Sequence, residues 1–109
     1  FTVLTKNMRM INLWKVDNIT YNGNNTTSYY PAITLDLKKD NTYTMTSTSG
    51  SLSATETGTW VFSSDKSKLV ITASDNTITN FEILMLKSKN MKLQETEGNN
   101  VTIYTLSEK

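Results

Sequence analysis

Ile33, Leu35 and Leu37 alternate with Thr34, Asp36 and Lys38. An apolar period of two belongs to a strand with one buried face, and it constrains this chain more than any other feature. The same period returns in residues 14–18, 42–47, 55–62, 69–72, 81–85, 91–93 and 101–106, with clusters of Asn, Asp, Ser, Lys and Gly between them. The 19 Thr residues suit a pleated surface, and the 12 Asn and 11 Ser suit the turns. There is no Cys, so neither a disulfide nor a thiolate metal site holds the fold. A chain of 109 residues fits one domain, residues 1–109, which must then close a continuous hydrophobic core. A sheet curled onto itself does this and removes its own edges. The expectation is all-β: an eight-stranded antiparallel up-and-down barrel, or a flattened version of one.

Thr5 followed by good helix formers predicts a short helical turn at the N-terminus. Asn41 is expected to take the left-handed position that Gly usually fills in a hairpin. In a meander, alternate connections lie at opposite ends. One end collects the short turns 39–41, 63–68 and 87–90 with both termini, and the helical turn covers it with Val3, Leu4, Met8 and Ile11. The other end collects the connections 21–30, 48–53, 74–76 and 97–100, the first of which carries Tyr21, Tyr29 and Tyr30. One end is plugged and the other adaptable, which describes a cup.

If Leu37 and Trp60 both point inward, period two brings Tyr43, Met45, Ser47, Glu56, Gly58 and Phe62 inside with them. Pairing Tyr43 with Trp60 then sets Met45 beside Gly58 and Ser47 beside Glu56. The cup becomes aromatic and aliphatic below and polar at Ser47, Glu56 and Asn18 above, the usual make-up of a small-molecule site. The candidate ligand-binding residues are Trp60, Tyr43, Met45, Phe62, Glu56 and Phe81, with Tyr29 and Tyr30 as a lid. Each has a plainer role. Trp14 and Trp60 also fit as core fillers, Glu56 can curl out to solvent at a strand end, and Tyr29 and Tyr30 can pack down as part of the second strand.

Histidine is absent, which removes Ser-His and Cys-His catalytic pairs and the usual zinc ligand sets. The four Gly are too scattered for a phosphate-cradling loop, and no carboxylate spacing matches an EF-hand. A net charge of +1 does not suit a nucleic-acid binder that works through a basic surface. No apolar run approaches the ~20 residues of a membrane-spanning helix. Neither cofactor nor metal is expected. Glu56 is the one residue that an enzymatic reading can name.

Five segments carry a family resemblance: LWKV at 13–16, TLDLKKDNTY at 34–43, GTWVF at 58–62, DKSKLVI at 65–71 and FEILMLKSKNMKL at 81–93. In this order and spacing the chain resembles the lipocalin-like domain of small secreted lipoproteins of Bacteroidetes, from about residue 11 to 104. It departs from the pattern at Asn12 and Asn41, where the family commonly has Gly; both are sites of backbone shape rather than chemistry. The resemblance implies an eight-stranded antiparallel barrel in the cell envelope, and for most members no defined activity. The chain begins at Phe1, which is read as a mature or trimmed form. The expected function is that of a non-catalytic extracytoplasmic binding domain with a small apolar or amphipathic ligand in its cup. The alternative is a lipoprotein interaction domain with a filled barrel, docking an envelope protein or glycan through its loops. In either case a membrane is met only through a lipid anchor.

Overall fold

Alternating apolar residues and β-branched threonine draw most of the chain into strands, and the turns between them are set by local chemistry. The structure, a computed structural model, describes residues 5–109. A short helix α1 (Lys6–Met10) precedes β1 (Asn12–Tyr21), β2 (Asn24–Asn25) and a single 3-10 turn (Thr27–Tyr29). Then follow β3 (Ala32–Leu37), β4 (Thr42–Ser49), β5 (Leu52–Phe62), β6 (Lys68–Ala73), β7 (Ile78–Leu86), β8 (Asn90–Glu97) and β9 (Asn100–Glu108). Each neighbouring pair is antiparallel, and β9 returns to pair with β1. β2 is only a two-residue spur on the end of β1. The closed barrel therefore has eight strands, β1 and β3 to β9, and no free edge among them.

Three turns share one device. Asp40, Asp65 and Asp75 each accept, on Oδ1, the backbone N–H two residues ahead, from Thr42 (3.1 Å), Ser67 (3.0 Å) and Thr77 (3.0 Å). An aspartate that mimics a backbone turn in this way fixes the reversal without glycine. The Thr42 hydroxyl and N–H lower Asp40, and the Ser67 and Thr77 N–H groups lead at Asp65 and Asp75, so all three carboxyls stand below the usual carboxylate range. Asn41 does stand in the left-handed region, at φ 67°. Its side chain then crosses the hairpin, donating Nδ2–H to the Trp60 carbonyl at 3.0 Å.

The end that carries the turns 38–41, 63–67 and 87–89 forms a packed floor. Trp14 and Trp60 are both fully buried in it, with Leu37, Leu69 and Met91 around them. Each indole N–H donates to a floor carbonyl, Trp14 to Met10 and Trp60 to Lys38, both at 3.0 Å. A buried indole needs such a partner, and here the partner sets the depth of the ring. α1 closes the floor from outside. Arg9 donates to the Leu86 carbonyl at 2.8 Å, and Lys6 donates to the carbonyl of Lys66. Met10 rather than Met8 is the plug: Met10 is buried, Met8 is 48% exposed, and Ile11 packs against the core. Thr5 accepts the Met8 N–H at 3.1 Å and so caps α1. Val3 and Leu4 lie outside the described residues.

Three details differ from the alternation read off the sequence. Tyr43 pairs with Gly58, Met45 with Glu56 and Ser47 with Ala54, a shift of two from the pairing of Tyr43 with Trp60. The cause is the two-residue turn at Gly50 and Ser51, which places Ser49 opposite Leu52, with Gly50 at φ 61°. A shift of two preserves every facing direction and changes only the neighbours. A bulge between Val16 and Asn18 switches the alternation of β1. Asn18 consequently pairs with Thr105 and accepts the Thr27 hydroxyl at 2.8 Å, while Ile19 takes the place beside Tyr104. A second bulge, between Ile83 and Met85, pairs Met85 with Lys92 and turns Leu86 into the core.

Candidate functional site

Above the tryptophan floor the barrel encloses a cavity of about 320 Å³. That lies at the small end of the roughly 300–1,000 Å³ typical of ligand sites. Its walls are apolar. β3 and β4 contribute Ile33, Leu35 and Met45, and β6, β7 and β8 contribute Ile71, Phe81 and Leu93. Val16 and Leu106 complete the ring from β1 and β9, and Tyr30 stands at the rim. All of these positions but Tyr30, which follows the 3-10 turn, come from period two on strands that point one face inward.

Besides Thr79 and the rim residue Tyr30, four polar side chains break the apolar lining as two matched pairs. Tyr43 on β4 donates its hydroxyl to Glu56 Oε2 on β5 at 3.0 Å. Tyr104 on β9 donates to Glu95 Oε1 on β8 at 3.1 Å. Each pair is diagonal within a hairpin: Tyr43 lies opposite Gly58 and reaches the residue two places further toward the mouth, and Tyr104 lies opposite Leu93 and reaches Glu95. Gly58 makes the first diagonal possible, because a Cβ there would stand 2.8 Å from Tyr43 Cε1. Phe81 braces the second, edge-on to the Tyr104 ring with centroids 5.8 Å apart. Burial pushes the Tyr43 phenol up to about 12, helped by its hydrogen bond to Glu56. Burial also raises Tyr104, with the Glu95 charge adding to it. Both phenols therefore remain donors at neutral pH, and the two carboxylates are held against opposing walls of the cup.

Of the residues singled out from the sequence, Tyr43, Met45, Glu56, Phe81 and Tyr30 line this cavity. Trp60 and Phe62 do not. Both point inward, but Trp60 is drawn to the floor by its bond to the Lys38 carbonyl, and Phe62 packs edge-on against it at 5.8 Å beneath Lys6. Tyr29, the last residue of the 3-10 turn, is 83% exposed and lies outside the cavity lining. Ser47 and Asn18, the other polar groups expected at the mouth, are not in the lining either. The Tyr104–Glu95 pair is missing from the sequence expectation. Its signal was present: period two from Met91 through Leu93 turns Glu95 inward, and the tight turn at Gly98 and Asn99 sets Tyr104 opposite Leu93.

The arrangement offers an apolar body-binding volume, two fixed carboxylates and two phenols. Among the described residues no group of three or more His, Cys, Asp or Glu is gathered for a metal ion. No curated protein matches the chain. The family model of the lipocalin-like domain matches residues 10–93, from the floor plug Met10 to the cavity wall at Leu93. That family consists generally of non-catalytic proteins that bind small hydrophobic ligands. β9, which closes the barrel here, lies beyond the matched segment. The match covers more than half of the chain and agrees with the closed antiparallel barrel, and the chain belongs to the lipocalin-like domain family.

Proposed function

We propose that this protein is a non-catalytic binding domain that holds one small apolar or amphipathic molecule in the mouth half of its barrel. The observation that carries this reading is the division of the interior: a plugged floor with both tryptophans, and above it an apolar cavity of about 320 Å³ with a few convergent polar groups. The rim supports it. Tyr29, Leu52 (75% exposed) and Ile78 (62% exposed) stand around the mouth, an apolar threshold for a molecule leaving water. An extracytoplasmic setting is part of the same proposal, supported by the family resemblance and a surface rich in Thr, Asn and Ser; fractionation of the native host with antibody detection tests it.

Isothermal titration with 1-decanol, below its solubility limit, tests the binding reading. The expected result is saturable binding at one site per barrel, lost when Ile71→Trp fills the cavity. A flat titration of the native protein, with decanol and with short-chain sterol and alkane probes, would refute it. The same exposed rim favours docking of an envelope protein or glycan as a second reading. Under that reading Ile71→Trp leaves partner binding intact, and Tyr29→Ser with Leu52→Ser removes it.

A further inference from the structure

Two observations, one inside the cup and one over the whole surface, point to the charge of the ligand. Inside, the charged side chains of the lining are Glu56 and Glu95, and no Lys or Arg lines the cavity. Each carboxylate accepts a single hydrogen bond among the described residues, from Tyr43 on Glu56 Oε2 and from Tyr104 on Glu95 Oε1. Among the described residues the second oxygen of each has no hydrogen-bond donor. Neither carboxylate lies within ion-pair distance of a Lys or Arg; the salt bridge among the described residues is Lys15–Asp17.

Over the surface, the charges are sorted by end. All 11 Lys and Arg sit in the floor half. Two belong to α1, five to the floor turns, and the others to the floor-side ends of β1, β6 and β8 and the residue after β9. The mouth half carries Glu56, Asp75, Glu95 and Glu97 and no basic side chain at all. A chain that is nearly neutral as a whole therefore presents a negative mouth and a positive floor. A low-dielectric cup lined by one sign of charge focuses that field on whatever enters it.

We infer that the molecule held in the cup is an amphipathic cation, with an ammonium or amidinium head and an apolar body. The inference rests on the binding reading above. Glu56 is exposed and Glu95 half-buried, so a purely apolar occupant would strip water from Glu95 and from whatever part of Glu56 it covers and return nothing, which is costly for a carboxylate. An anionic head would meet two carboxylates and no counter-charge. A cationic head at the level of the Tyr–Glu pairs finds a carboxylate acceptor and no competing cation, while the body fills the space among Met45, Ile71, Phe81 and Leu93. The phenols matter because they fix each carboxylate before the ligand arrives, so little ordering remains to be done on binding.

The test compares three probes of one chain length, decylammonium, 1-decanol and decanoate, by isothermal titration at low salt. Decylammonium is expected to bind roughly tenfold to a hundredfold more tightly than decanol, the scale of a charge-assisted hydrogen bond. Decanoate is expected to bind least well. In the double variant Glu56→Gln and Glu95→Gln, which keeps an acceptor for each phenol, the ratio of decylammonium to decanol affinity should fall to about one. Raising the salt should shrink the native ratio without inverting it. Decanoate binding as tightly as decylammonium, or a ratio unchanged in the double variant, overturns the inference. If decanol binds and decylammonium is no tighter, the cavity stands as a binding site and only its charge preference falls; if none of the three binds, both fall.

Discussion

Replacing Gly58 by alanine should be among the most damaging single changes in the barrel. A Cβ at this position would sit 2.1 Å from the Thr72 carbonyl oxygen, 2.8 Å from Tyr43 Cε1 and 2.9 Å from the Ala73 Cα. Two of these three atoms belong to the backbone of β6, which pairs with β5 through Gly58 and Ala73. Either the two strands part locally or the Tyr43 ring swings off the glycine. Overpacking of this kind costs about 1–3 kcal/mol, and the backbone contact places it at the upper end. If Tyr43 swings away, its hydrogen bond to Glu56 is lost as well, about 1 kcal/mol more. A total of about 3 kcal/mol corresponds to a fall in Tm of roughly 12–24 °C for a domain of this size. In urea it lowers the midpoint by about 2 M if the slope is near 1.5 kcal/mol/M. Circular dichroism melts of Gly58→Ala beside the outward-facing control Thr57→Ser measure it, with the control expected to stay within about 0.5 kcal/mol of the native protein. A Gly58→Ala protein that melts within about 2 °C of the native one would show that β6 and Tyr43 do not crowd this position, and would remove the explanation of the first Tyr–Glu diagonal.

The remaining predictions concern polar groups. Asn41→Ala should cost about 2–3 kcal/mol, from the left-handed backbone and the lost bond to the Trp60 carbonyl, while Asn41→Gly should cost only about 1, and chemical denaturation separates the two. The Tyr43 phenol is raised from 10.0 to about 12 in the folded protein. It thus contributes stability that is fully present below pH 10 and disappears as the pH climbs through 12; Tyr43→Phe should flatten the alkaline limb of a stability-against-pH curve, and an unchanged limb would contradict this. Asp65 is held down to about 2 by the Ser67 N–H and by the hydroxyls of Ser67 and Ser63. Its contribution is present above the ordinary carboxyl value and is lost as the pH falls through about 2, and carboxyl NMR titration should find it among the last side chains to protonate.

The period of two in residues 33–37 is legible as a half-buried strand because Ile33, Leu35 and Leu37 leave one face only to bury. Asn41 is legible too, since few residues other than Gly tolerate its backbone. The sorting of loops into a closed and an open end follows from counting strands. Height along the barrel does not follow from any of this. Trp14, Leu35, Met45 and Glu56 stand on one continuous line of pairings, yet Trp14 belongs to the floor and Glu56 to the cavity. Strands in a closed barrel tilt against its axis, so a line of partners climbs from floor to mouth. Alternation says that Trp60 points inward, but it is silent on which layer the ring occupies; that is decided by the carbonyl its indole reaches. The bulges in β1 and β7 are hidden for a similar reason. One added residue, such as Asp17, reverses the facing of everything beyond it, and an exposed polar residue reads the same on either face.

Intermolecular nuclear Overhauser contacts from a decyl chain to the protein's methyl and aromatic protons locate a bound molecule within the barrel or outside it. Contacts to Met45, Ile71, Phe81 and Leu93, with none to Leu37, Leu69 or Met91, are the predicted result. Contacts confined to Tyr29, Leu52 and Ile78 on the outer rim, with the interior untouched, would contradict it.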